Sequence, residues 1–228
     1  GSERTRFWYT QNGVAVLRVD ESVLGRYTSL SARTPGQKEW RFVRKIRRND
    51  FSQYDDFEAV GATREAGVLL VATMAPGDNA RTIRRFDVRT LALGEVVASH
   101  SERDMEGVFF DKGLTPLAAA YTDDRTQYQF LDPSLAPHYK AVQTAIGADA
   151  GVVLHDIDMA RRRFIVHASG ATEAGAYYLY DRETRQLDLL GRQASWLSAD
   201  RLAPMEALRI TARDGQALTA YLTRPLAS

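Results

Sequence analysis

Polar and apolar residues alternate with a period of two in short runs along most of the chain, and clusters of Gly, Pro, Asn, Asp or Ser separate the runs. That pattern predicts half-buried strands joined by tight turns. In the middle of the chain, residues 105–110 form one expected strand and 116–121, nearly all apolar, a second. Asp111-Lys112-Gly113 is read as the turn between them, with glycine supplying positive φ. Thr122-Asp123-Asp124 turns the chain again into a third strand at 126–131. The flanking segments follow the same plan. Upstream are 57–62, 68–75, 82–88 and 95–99, with Pro76-Gly77-Asp78-Asn79 as a turn; downstream are 152–157, 163–169, 176–181 and 187–190. The first fifty residues fit the plan more loosely, with strands at 6–10, 14–20, 26–32 and 38–46 around the turns Gln11-Asn12-Gly13 and Thr34-Pro35-Gly36. A polar connector at 50–56 leads to the next unit.

Two markers keep one period. Acids close the strands Arg85-Phe86-Asp87, Phe130-Leu131-Asp132 and Leu179-Tyr180-Asp181, spaced 45 and 49 residues apart. Glu65-Ala66-Gly67, Asp111-Lys112-Gly113 and Asp158-Met159-Ala160 each sit between apolar runs, 46 and 47 residues apart. A repeat of this length made of short strands predicts an all-β chain, a β-propeller of about four blades cut from a ring of seven or eight. The second strand of each unit is the most apolar, as expected of a strand buried on both faces.

One helix is predicted, at 134–146: Leu135, Tyr139, Val142 and Ile146 recur at helical spacing, Asp132-Pro133-Ser134 can cap it, and Gly147 can end it. The end of the chain changes character. Residues 192–204 read as a linker in which Ser198 can open a helical turn before Pro204, and 205–228 read as a hairpin with strands at 205–213 and 217–223 about Asp214-Gly215. An isolated hairpin is marginal, so it is expected to dock on something else. The blades then occupy 3–191, and Gly1-Ser2, with no Met before it, reads as a vector-derived scar.

Composition narrows the function classes. The 228 residues carry a net charge of +1, which gives no general attraction to nucleic acid or to an acidic membrane. No apolar run reaches the roughly 18 to 20 residues of a spanning helix. Cysteine is absent, which removes disulfides, thiolate metal sites and a cysteine nucleophile, and fits either the cytoplasm or the periplasm of a bacterium. Arginine supplies 26 of the 30 basic residues.

Candidate chemistry is sparse. His100, His138, His155 or His167 with Ser99, Ser169 or Ser195 are the available parts of a serine–histidine pair, at a density that chance supplies. His155-Asp156-Ile157-Asp158 offers metal-ligand types, but strict strand alternation sends His155 and Ile157 one way and both acids the other, so Asp158 is expected to cap a turn. Asp123-Asp124 and Asp55-Asp56 are likewise expected at turns. The basic runs 41–48 and Arg161-Arg162-Arg163 are expected on solvated edges and turns rather than on nucleic acid. No catalytic, cofactor-binding or metal-binding residue is assigned, and no cofactor is expected.

A resemblance adds a family. Tyr177-Tyr178-Leu179-Tyr180-Asp181-Arg182, Trp196-Leu197 and Leu202-Ala203-Pro204-Met205 lead to Ile210-Thr211-Ala212-Arg213-Asp214-Gly215 and Ala220-Tyr221-Leu222-Thr223-Arg224-Pro225. This run resembles the junction between the N-terminal propeller and the α/β-hydrolase domain in bacterial serine peptidases of the prolyl oligopeptidase family, the acylaminoacyl-peptidase and dipeptidyl-aminopeptidase-like branch. Phe130-Leu131-Asp132-Pro133 and the helix after it are similar to the same branch. The resemblance covers about residues 57–226. It implies a propeller segment that gates and contacts peptide substrates for a hydrolase domain absent from this chain. The G-x-S-x-G nucleophile elbow of such domains does not occur in the 228 residues, so the chain itself is expected to be inactive. The other reading is a stand-alone propeller serving as an interaction scaffold. An arc cut from a ring is also expected to self-associate through its exposed blade edges.

Overall fold

Every predicted strand forms in the computed structural model, which describes residues 3–47, 57–147 and 149–225; the expected connector at 50–56 lies outside the described residues. The strands pair with their sequence neighbours, always antiparallel. β1 (Glu3–Gln11), β2 (Val14–Ser22), β3 (Tyr27–Ala32) and β4 (Arg41–Arg47) make a first sheet in that order. β5 (Phe57–Ala62), β6 (Val68–Thr73), β7 (Thr82–Asp87) and β8 (Ala92–Ala98) make a second. β9 (Met105–Phe110), β10 (Pro116–Thr122) and β11 (Thr126–Phe130) make a third, of three strands, after which the chain enters helix α1 (Ala136–Ile146). β12 (Ala150–Ile157), β13 (Arg163–Gly170), β14 (Ala176–Asp181) and β15 (Leu187–Arg192) form a fourth sheet, and β16 (Met205–Thr211) with β17 (Ala217–Thr223) the terminal hairpin. The chain divides into two compact units, Gly1–Pro133 and Ser134–Ser228.

In the first unit, β6 shows why a second strand must be apolar. All six of its residues are buried. Leu69 and Val71 join Leu17, Leu30, Ala32, Phe57, Phe86 and Val88 in one core. Leu70 and Ala72, pointing the other way, join Ile83, Ala98, Met105 and Ala119 in a second. One strand thus feeds two interfaces, and each large side chain contributes about 1.5–3 kcal/mol by leaving water. Phe57 and Phe86 meet edge to face with centroids 5.0 Å apart, a favoured aromatic geometry.

Polar bonds tie neighbouring sheets together at their turns. Gln11 is only 5 % exposed; its Nε2 donates to the carbonyls of Thr63 and Glu65, both at 2.7 Å, and its Oε1 accepts from the Gly67 N–H at 2.7 Å. One amide side chain therefore satisfies three backbone groups of the next sheet's turn. Arg64 repeats the device one sheet on, its Nε donating to the Gly113 carbonyl at 2.6 Å with Nη2 3.8 Å from Asp111 Oδ2.

The turns that mark the repeat share one bond. Val68 N–H donates to Glu65 C=O, Leu114 to Asp111 and Arg161 to Asp158, at 3.0, 3.1 and 3.0 Å. Positive φ falls on Gly67 in the first, but on Leu114 (61°) and Arg161 (53°) in the other two. The expectation that Gly113 supplies positive φ is therefore corrected. Asp111 Oδ1 accepts the N–H groups of Gly113 and Thr115 at 2.9 and 2.7 Å, which holds Leu114 in the left-handed region. Arg64 lies over Gly113, where a Cβ would stand 2.7 Å from Arg64 Nη2, a flexible end that can move aside.

The acid markers separate in the same way. Asp87 and Asp181 each close a third strand and cap the following turn, accepting from Arg89 N–H (2.7 Å) and from Glu183 N–H (2.9 Å). Asp132 differs because no fourth strand follows it; its N–H donates to Leu117 C=O at 2.9 Å as the chain turns toward α1.

In the second unit, α1 starts two residues later than expected and has no side-chain cap; Ser134 Oγ instead accepts from Arg182 Nη2 at 3.0 Å. The helix buries Tyr139 and Val142, and Tyr139 Oη donates to the Val152 carbonyl of β12 at 2.6 Å. Gly147 ends the helix, at φ 109°. A three-residue 3-10 turn (Ala199–Arg201) follows Ser198, again without a side-chain cap. The hairpin β16–β17 puts Leu208, Ile210, Leu218, Ala220 and Leu222 on one face, of which Ile210 and Leu218 are 48 % and 43 % exposed. Among the described residues no helix is long and apolar enough to cross a membrane.

Candidate functional site

The loops at one end of the second and third sheets enclose an open cleft of about 590 Å³ in the first unit. Met74, Asn79 and Ala80 line it from the β6–β7 loop, Glu102, Arg103 and Asp104 from the β8–β9 loop, and Glu106 and Thr122 from β9 and β10. Most of its charge is already engaged. Arg103 pairs with Asp123 at 2.7 Å, Asp104 Oδ1 accepts the Arg81 N–H at 2.8 Å, and Glu106 Oε2 accepts from the Thr122 hydroxyl at 3.0 Å. Behind the cleft, burial pushes the Asp78 carboxyl up, but the Ala75 N–H, the Arg84 guanidinium and the Thr82 hydroxyl together outweigh it and hold the carboxyl below its ordinary value. Such a cleft can receive a polar or charged group, but it holds no nucleophile–base pair.

The four histidines lie apart in role. His100 Nδ1 accepts the N–H groups of Glu102 and Arg103 at 3.1 and 3.2 Å, and its ring stacks on Tyr121. His138 Nδ1 is 3.3 Å from Tyr180 Oη; burial lowers its basicity, and the nearby Arg182 and Arg185 cations lower it further. His155 and His167 flank the Tyr177 ring at 5.4 and 4.8 Å, and His167 Nε2 is buried without a hydrogen bond. None of the four bonds a serine hydroxyl, so Ser99, Ser169 and Ser195 are not brought into a catalytic pair among the described residues.

The His155 segment also corrects a sequence argument. A bulge between Leu154 and Asp156 leaves His155 outside the ladder. Ile157 pairs with Phe164 and so shares Leu154's face, while Asp156 pairs with Ile165 and joins the side that carries His167. Alternation does not separate histidine from acid here, yet no group of three potential metal ligands assembles among the described residues. Asp158 caps the β12–β13 turn as expected, accepting from Arg162 and Arg163 N–H at 2.8 and 3.2 Å.

Several described residues of the basic runs are engaged within the protein, and Arg48 lies outside the described residues. Arg41 donates to the Val88 and Arg89 carbonyls, Arg44 lies over Phe57 and Lys45 sits 3.5 Å from the Tyr27 ring centroid. Arg162 and Arg163 both reach Asp181 Oδ2, at 3.2 and 3.0 Å. The Arg163 bond foremost, with the Thr184 and Glu183 N–H groups and Arg162, keeps the Asp181 carboxyl far below the ordinary carboxylate range.

With this architecture of successive antiparallel sheets, solved structures give the decisive comparison. A puromycin-hydrolyzing peptidase of Mycobacterium tuberculosis superposes with a TM-score of 0.57 at 14 % identity, over 96 % of this chain and 34 % of that one. Oligopeptidase B from Leishmania major gives 0.56 at 12 % identity, over 96 % and 31 %. Porphyromonas gingivalis dipeptidyl peptidase 4 gives 0.51 at 13 %, over 92 % and 29 %. The chain has the β-propeller fold of prolyl oligopeptidase-family peptidases. It spans about a third of the length of these propeller-bearing peptidases. No sequence family model matches the chain, and no curated protein matches it by sequence. The propeller likeness therefore rests on backbone geometry, which the alternation and turn chemistry preserve at identities near 14 %.

Proposed function

We propose that the chain is the propeller segment of a serine peptidase, gating access and contacting the peptide substrate for an α/β-hydrolase domain encoded beyond it. The observation that carries this reading is the superposition on a puromycin-hydrolyzing peptidase over 96 % of the chain and only 34 % of that protein. The terminal hairpin supports it, since its half-exposed apolar face around Ile210 and Leu218 fits a strand pair that packs into a following domain. In this role the propeller contributes shape and size exclusion. Acyl transfer falls to a serine, a histidine base and an oxyanion hole outside residues 1–228. The aromatic face of the first sheet, where Trp8 and Trp40 pack at 5.4 Å with Arg18 and Arg33 stacked on Trp40, packs on a further sheet of the ring. In the isolated chain a second copy takes that place.

The test is to incubate the purified chain, and separately the product of the complete gene, with a fluorophosphonate probe and chromogenic aminoacyl substrates. The expected result is labelling and turnover in the complete product alone. Stoichiometric labelling of one serine in the 228-residue chain overturns the proposal, and so does a complete product that no probe labels.

A further inference from the structure

We propose that His100 is a proton-sensitive latch on the loop at residues 99–104, the loop that supplies Glu102, Arg103 and Asp104 to the cleft wall. Its Nδ1 accepts two backbone N–H bonds, from Glu102 at 3.1 Å and Arg103 at 3.2 Å. A ring nitrogen that accepts such bonds carries no proton, so the neutral ring is the Nε2–H tautomer. Stacking on Tyr121, with centroids 4.6 Å apart and planes 33° apart, fixes the ring so that Nδ1 keeps facing the loop.

The remaining anchors of the loop do not depend on the imidazole. At one end the Ser99 N–H donates to Gln129 Oε1 at 3.3 Å. At the other, the Arg81 N–H donates to Asp104 Oδ1 at 2.8 Å and the Met105 N–H to the Arg81 carbonyl at 3.0 Å. Between them the backbone N–H groups are held by His100, the Glu102 carbonyl accepts a long 3.4 Å bond from Arg103 Nη1, and the Arg103 side chain is held by Asp123.

A proton on Nδ1 turns the acceptor into a donor that faces two other donors. Both bonds are lost together, and the ring cation then stands against two amide dipoles of the wrong sense. The surroundings offer little compensation. β10 presents the neutral Tyr121 ring, β11 the neutral Gln129 amide, and the β10–β11 turn an Asp123 carboxylate already spent on Arg103. The Glu102 carboxylate, on the loop itself, already acts on the Arg103 cation, and Asp124, next to Asp123 on the turn, has an interaction of its own. Acidification therefore releases the middle of the loop and loosens one wall of the cleft, whatever the cleft accepts.

Nitrogen-15 NMR on the 228-residue chain tests this. At about pH 7.5 the His100 ring is expected to show the Nε2–H tautomer, assigned by its disappearance in His100→Asn. On acidification to about pH 5, hydrogen-exchange protection of the Glu102 and Arg103 amides should fall, while the Met105 amide keeps its protection. His100→Asn retains an oxygen that accepts the N–H two residues on and does not titrate, so its Glu102 amide should be protected equally at both pH values. An Nδ1–H tautomer, equal protection at both pH values in the unsubstituted chain, or an unchanged acid loss in His100→Asn each overturns the latch.

Discussion

Gln11 occupies a position that a hydrophobic residue would fill for less desolvation, yet it holds two carbonyls and one N–H of the next sheet's turn. Removing its amide takes that partner from the buried Thr63 carbonyl and the Gly67 N–H, while the Glu65 carbonyl keeps the Val68 N–H. Gln11→Leu, which preserves most of the volume, is expected to destabilise the first unit by about 2–4 kcal/mol, read from the urea midpoint at constant m-value. Asp181 makes the corresponding prediction for pH. Its folded pKa lies below the unfolded value of about 3.9, so its contribution is complete above that value and is lost as pH falls below it toward the folded one. Asp181→Asn should lower the urea midpoint near neutral pH, and the gap to the unsubstituted chain should close as the pH drops below about 4. A gap that stays constant down to acid pH would mean that the Arg162 and Arg163 contacts contribute nothing through charge.

At the scale of elements, the contact between the second and third sheets depends on a missing side chain. Gly61 sits at a bulge in β5, and a Cβ there would run into the edge of the Phe110 ring on β9. A ring wedged between sheets cannot swing away as the Arg64 guanidinium can from Gly113. Gly61→Ala is therefore expected to cost about 1–3 kcal/mol by overpacking, measured by chemical denaturation, and Phe110→Leu in the same chain should recover part of the loss. Elements of this kind were unevenly legible in the sequence. Alternation and turn residues are local, so every strand from β1 to β17 and the helix could be read from residues within a few positions of each other. The 45-to-49-residue spacing of acids and turns also survived, because the same backbone bond recurs at Glu65, Asp111 and Asp158. What escaped was decided by strand register, by a side-chain cap and by a turn of the next sheet. The bulge at His155 reverses the faces of Asp156 and Ile157, positive φ falls on Leu114 through the Asp111 cap, and Gln11 is buried by a turn more than fifty residues away. The cleft residues carry no signal of their own, since Glu102, Arg103 and Asp104 read as an ordinary polar loop.

For the whole molecule, the propeller fold and the share of the structurally similar peptidases that it spans bear on association. The first sheet leaves Trp8 51 % and Phe42 62 % exposed. Large aromatic side chains grouped on one sheet surface favour a partner. Multi-angle light scattering of the purified chain should report a mass above 25.5 kDa that rises with concentration, and Trp8→Ser with Phe42→Ser should shift it back toward the monomer. A strictly monomeric chain at all concentrations would remove the self-association proposal and leave the peptidase reading to the labelling experiment.

The strand Val68–Thr73 carries one more consequence, which concerns the chain before it folds. Its six residues have no charge, no proline and a strong preference for extended backbone, and in the native state every one is shielded. In a chain that has opened, the same hexapeptide is a ready nucleus for intermolecular cross-β stacking, guarded on its N-terminal side by Arg64 and Glu65 but bare of charge until Asp78 on the other. Heating should consequently end in turbidity and a scan-rate-dependent midpoint in place of a reversible transition, and Thr73→Lys, placed next to the unguarded end, should delay the turbidity even as it weakens the native sheet. Endurance of this protein in the cell is then set by how quickly it opens, more than by the balance between its folded and unfolded forms.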